Sequence, residues 1–145
     1  MPIIIHKLPF FAEPKPVEFQ GRRIAVWGLA FKPDTDDIRE SPGIDLTHRL
    51  FARGADVCVY DPKAMDNARQ VLSPHISFAK TALDATIGAE ALIVCTEWKE
   101  FREVSFEALR SQMIEPWIFD GRNHLADLHL SKKGFQYHGI GFVPV

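Results

Sequence analysis

Short apolar runs, each followed by a polar turn or loop, alternate along the chain with longer stretches whose apolar residues recur at helical spacing. Ile24-Ala25-Val26-Trp27 stops at Gly28 and has the length of a strand. From Pro42 to Arg53 the residues Ile44, Leu46, Leu50 and Phe51 form a rough apolar stripe, which predicts a helix. Ser41 is placed to cap it, Pro42 suits its first turn, and Arg53-Gly54 supplies a cationic end and a stop. Asp56 to Tyr60 is a second strand, ended by Asp61-Pro62. Residues 64–72 read as a helix, Ser73-Pro74-His75 as a break, Ile76-Ser77-Phe78 as a brief extended segment and 81–87 as a short helix. Ala91 to Thr96 is apolar on both faces, as a parallel strand covered by helices is. A helix over 106–113, a strand over Trp117–Asp120 and an edge strand over Phe135–Ile140 complete the pattern. The alternation predicts an α/β fold: a Rossmann-like, open, mainly parallel sheet with helices on both faces, in a single domain.

A chain of 145 residues, 46% hydrophobic and 25% charged, is the common size for one domain and buries a real core. Pro9, Pro14 and Pro16 argue against helix or central strand at the start, so residues 1–20 read as a proline-rich leader and 21–145 as the folded domain. A net charge of -2 offers no footprint for nucleic acid or an anionic membrane, and any anionic ligand must be held locally. His6, Lys7 and Pro9 interrupt the apolar start, which is too short for a signal peptide or membrane span. Cys58 and Cys95 lie inside apolar runs, as inert thiols of a reducing compartment do, so a cytoplasmic location is expected. His124 and His129 do not share a helix face, so no metal site is expected, and no residue reads as a catalytic nucleophile.

In open α/β sheets ligands bind beyond the carboxyl ends of the strands, which directs attention to the residues after each strand. After the first strand, Gly28 to Pro42 forms a polar loop in which Lys32 offers a point charge and Arg39 a planar fork for phosphate or carboxylate. The same loop reads equally as a solvated segment in which Asp34, Asp36 and Asp37 pair with those cations. After the most buried strand, Trp98 and Phe101 either pack against a base or simply close the core. After Asp120, the turn Gly121-Arg122-Asn123 brings Arg122 to the same sheet edge as Lys32, either to converge on a diphosphate or as ordinary surface charge.

Gly28-Leu29-Ala30-Phe31-Lys32-Pro33-Asp34-Thr35-Asp36-Asp37-Ile38-Arg39-Glu40-Ser41-Pro42 resembles the signature loop of the C-terminal domain of the UDP-glucose/GDP-mannose dehydrogenase family. The resemblance continues in order through Val59-Tyr60-Asp61-Pro62, Thr96-Glu97-Trp98-Lys99-Glu100-Phe101 and Asp120-Gly121-Arg122-Asn123, covering residues 21–143. The surroundings of Trp98 resemble the branch that acts on UDP-glucose more than the branch that acts on GDP-mannose. Such enzymes oxidise the C6 alcohol of a UDP-hexose to a carboxylate, UDP-glucose to UDP-glucuronate, in two NAD-dependent steps through a thiohemiacetal on a cysteine. The resemblance implies that Phe31, Lys32 and Arg122 contact a UDP-sugar and that Arg39 approaches NAD held by another domain; beside it, the rings of Phe31 and Trp98 are expected to shape the pocket. The family's GxGxxG domain, central helix and catalytic cysteine motif do not precede Gly21 here. This chain alone is therefore expected to bind no NAD and to oxidise nothing, with a separate NAD-binding domain as one expected partner. The alternative is a non-catalytic binding or assembly module in which Ile3-Ile4-Ile5 and Phe10-Phe11 cover surface in cis or drive self-association.

Overall fold

The computed structural model describes residues 19–141, so the leader expected over 1–20 lies outside the described residues for 1–18, while Phe19 is a correction: it is buried in the core and its N–H donates to Arg53 O, so the folded domain starts before Gly21. Six parallel strands form one sheet in the order β3-β2-β1-β4-β5-β6. They are β1 (Arg23–Trp27), β2 (Asp56–Tyr60), β3 (Ser77–Phe78), β4 (Ala91–Val94), β5 (Trp117–Asp120) and β6 (Gln136–Gly139). The expected "mainly parallel" sheet is thus entirely parallel in this region, and Ile76–Phe78 contributes a strand, two residues long, that pairs with β2. The predicted edge strand is indeed at an edge, paired in parallel with β5.

The crossovers use α1 (Pro42–Ala52), α2 (Met65–Arg69), α3 (Ala82–Ala85) and α4 (Phe106–Gln112). Strand progression runs one way from β1 to β3 and the other way from β4 to β6. With right-handed crossovers this puts α1 and α2 on one face and α3 and α4 on the other. Gln112 of α4 donates to Leu83 O and Thr86 Oγ1 beside α3, and the Trp27 indole donates to Ala82 O at 2.9 Å, fixing α3 over β1. Helix starts follow local chemistry: Ser41, Thr81 and Ser105 cap α1, α3 and α4 by accepting from Ile44, Asp84 and Ala108 N–H groups. The helix expected over 64–72 is shorter, because the chain leaves α2 after Arg69 in tight turns ahead of Pro74. Short 3-10 turns at Lys99–Arg102, Ala126–Leu128 and Leu130–Lys133 carry no extended periodic pattern and were not legible in the sequence.

Every residue of β4 is buried, in accord with its unbroken apolar run. Cys58 and Cys95 are both buried free thiols. Burial pushes the Cys58 thiol up, and burial with the Asp120 carboxylate nearby pushes Cys95 up to about 12. Neither cysteine is expected to react with a thiol-specific disulfide reagent at pH 8 while the chain is folded, and both should react in urea; a rapid native reaction would contradict this burial. Among the described residues, no helix is long and apolar enough to cross a membrane, and no cluster of three or more His, Cys, Asp or Glu side chains is placed to hold a metal.

Candidate functional site at the carboxyl ends of the strands

The loop from Gly28 to Ser41 leaves β1 beside β4, at the point where the strand order reverses. Its path is set by the buried carboxylate of Asp61, at the end of β2. Asp61 Oδ2 accepts from Leu29 N at 2.8 Å, Ala30 N at 2.9 Å and Trp98 Nε1 at 3.0 Å. Its Oδ1 accepts from Lys63 N and Ala64 N, each at 2.9 Å. Thr96 Oγ1 donates to Ala30 O at 2.6 Å, which ties the loop to β4. Further along, Asp34 and Glu40 hold left-handed conformations at φ 67° and 55°, a local cost borne in the very segment that carries the candidate residues.

Phe31 and Lys32 lie together and exposed on this loop, the Lys32 ammonium 5.4 Å from the Phe31 ring centroid. Arg39 is bound to Asp37 through Nη2 and Oδ2 at 2.6 Å, with 87% of its side chain exposed. The Arg39 guanidinium and backbone amide hold the Asp37 carboxyl down at about 2. The solvated ion-pair reading of the loop is therefore realised for Arg39 and Asp37.

The second loop follows β5. Asp120, also buried, accepts from Arg122 N at 3.1 Å through Oδ1, and from Leu125 N at 2.7 Å and the Tyr137 hydroxyl at 2.9 Å through Oδ2. Burial, together with the Asp120 carboxylate, pushes the Tyr137 phenol up, so it stays a donor at any physiological pH. Arg122 reaches across to Glu97, with Nη2 and Nε at 3.1 and 3.3 Å from Oε2. It also lines a cavity of about 280 Å³ between the start of α1 and the ends of β4, β5 and β6, with Pro42, Asp45, Cys95, Phe119 and His138. Phe31, Lys32 and Arg39 are not on that wall. A larger, shallower depression of about 870 Å³ beside α4, walled by Arg102, Phe106, Arg110 and Lys133, holds none of these four residues.

Trp98 is a correction. The residue is 6% exposed and its N–H is spent on Asp61, so it braces the loop from the core instead of shaping a pocket. Phe101 is fully buried and stacks on Trp27 at 4.9 Å between centroids. The segment Thr96-Glu97-Trp98 thereby links both loops: Thr96 holds the first directly and Trp98 through Asp61, while Glu97 and the Trp98 carbonyl, 2.7 Å from His124 Nε2, hold the second. Sequence reasoning did not give Asp61, Asp120 or Glu97 these roles. The available signal was a carboxylate at the carboxyl end of an otherwise apolar strand, a position that rewards burial only when several donors converge on it.

Between β1 and α1 the backbone is closely packed: a Cβ on Gly28 would collide with Thr96, and one on Gly43 with the Gly28 carbonyl.

Residues 25–127 match the UDP binding domain of the UDP-glucose/GDP-mannose dehydrogenase family. The chain belongs to this family. It is 42% identical over 124 residues to a UDP-glucose 6-dehydrogenase of Rhizobium meliloti, covering 86% of this chain and 28% of that protein. It is 45% identical over 125 residues to the UDP-glucose 6-dehydrogenase AglM of Haloferax volcanii, covering 85% and 27%. Among solved structures, a UDP-glucose dehydrogenase from Pyrobaculum islandicum superposes with a TM-score of 0.71 at 31% identity, covering 86% of this chain and 26% of that one. The chain spans little more than a quarter of the length of these dehydrogenases.

Proposed function

We propose that residues 21–145 form a nucleotide-sugar half-site that binds the UDP moiety of a UDP-hexose, UDP-glucose being the substrate named for the relatives above. Lys32 and Arg122 neutralise the diphosphate and Phe31 packs against the ligand. The observation that supports this most directly is the bridge through Thr96, Glu97 and Trp98, which ties the Lys32 loop and the Arg122 loop to one another at the carboxyl edge of the sheet. In this reading the chain binds but does not itself oxidise. Both of its cysteines are buried with raised pKa values, so in this reading the nucleophile comes from a separate catalytic domain, which also holds the NAD that Arg39 approaches.

A half-site buries less of a ligand than a two-domain cleft, so UDP binding in the high micromolar to millimolar range is expected, about 4 to 6 kcal/mol. Calorimetric titration with UDP and UDP-glucose, with NAD as control, tests it. Saturable uridine-nucleotide binding that Lys32→Glu abolishes supports the assignment. A folded Lys32→Glu chain that binds UDP as the parent does overturns it.

A further inference from the structure

Arg122, the residue assigned above to the diphosphate, is already occupied by an anion of the same chain. We propose that Glu97 is the resident counter-ion of Arg122, displaced by the phosphates of the incoming ligand, and that it thereby lowers and tunes the affinity of the site for phosphate charge. This rests on the reading that Arg122 contacts the diphosphate. The geometry is that of an exchangeable pair on a fixed frame. Arg122 contacts one carboxylate oxygen of Glu97, while Oε1 is buried and has no hydrogen-bond partner among the described residues. The two side chains are 39% and 34% exposed, and Arg122 also lines the cavity described above, so solvent and an entering ligand reach the pair from the Arg122 side. The backbone on either side is held: Thr96 and Trp98 flank Glu97 and are buried, Thr96 bonded to Ala30 of the first loop and Trp98 to Asp61, and Arg122 N is bonded to Asp120. Ligand entry thus needs a side-chain exchange and no loop movement.

Burial opposes ionisation of Glu97, but its own backbone amide, Arg122 and His124 outweigh that and keep the carboxyl below its usual value. At neutral pH an approaching phosphate meets a pair with no net charge. It must take over the guanidinium while a carboxylate stays close by, and that repulsion grows with ligand charge.

Glu97→Gln keeps the shape and removes the charge. A partly exposed ion pair of this kind is worth about a two- to fivefold change in a binding constant at low ionic strength. Titration of the 145-residue chain with uridine, UMP and UDP in low salt should show UDP affinity raised by about that factor in Glu97→Gln, UMP raised less and uridine unchanged. The gain should vanish in the double variant Glu97→Gln/Arg122→Gln, since it acts through Arg122. Glu97→Ser provides the same comparison if the glutamine variant does not fold. UDP affinity that is unchanged or weaker in a folded charge-neutral variant, while Arg122→Gln still weakens it, overturns the counter-ion proposal and leaves the site assignment standing. Arg122→Gln without effect on UDP, or no UDP binding by the parent, overturns the site assignment and the exchange with it.

Discussion

Asp61→Ala is expected to lower the unfolding free energy by about 4 kcal/mol or more, measured by urea denaturation. The carboxylate is fully buried and receives five donors from three parts of the chain: Leu29 and Ala30, Lys63 and Ala64, and the Trp98 indole. Alanine leaves all of them without an acceptor in a site closed to water, and each unsatisfied buried group costs about 1–3 kcal/mol, with relaxation reducing the sum. Asp61→Asn separates hydrogen bonding from volume. The amide occupies the same space but faces the donors with an NH₂ on one side, so a smaller loss, about 2 kcal/mol, is expected. Because Oδ2 carries Leu29, Ala30 and Trp98, an asparagine variant that folds should also lose UDP affinity as the Lys32 loop slackens. A variant within about 0.5 kcal/mol of the parent would mean that this hub does not organise the domain.

Gly28→Ala is expected to cost about 3 kcal/mol or more, or to prevent folding at 37 °C, as followed by the midpoint of thermal or urea unfolding. Gly28 has φ +105°, a conformation hostile to any side chain, and a Cβ there would strike the backbone N, Oγ1 and Cβ of Thr96. Relief by rotating Thr96 would sacrifice its hydrogen bond to Ala30 O and still leave the clash with its backbone nitrogen. Thr96→Ser is the control. It keeps the hydroxyl and should be tolerated, and the pairing Gly28→Ala/Thr96→Ser should recover little, because the backbone contact persists. A Gly28→Ala chain of parental stability would show that the first loop is not packed against the end of β4 as described.

The fold was readable because its determinants are local. Unbroken apolar runs in Ala91–Val94, the Ser41-Pro42 helix start and the Arg53-Gly54 stop each act within a few residues, and each is where the pattern placed it. The order of the motifs along the chain also sufficed to identify the family, and it located Lys32, Arg39 and Arg122 on loops that follow strands. Boundaries slipped where the last turn is set by neighbours, as at α2, and where an edge strand is two residues long, as at β3.

The sequence by itself therefore determined an α/β domain with polar loops beyond its strand ends, since periodicity and turn chemistry are properties of adjacent residues. Which charges meet was decided by the tertiary structure alone. Arg39 turns to Asp37 two positions away, but Arg122 finds Glu97 at a separation of 25 residues, and Asp61 gathers donors 31 and 37 residues distant. Trp98 could pack against a ligand or close the core, and the buried Asp61 acceptor within reach of its N–H settled it on the core side. A buried polar group gains its partners from whatever the sheet brings beside it, and that neighbourhood exists once the strands have paired.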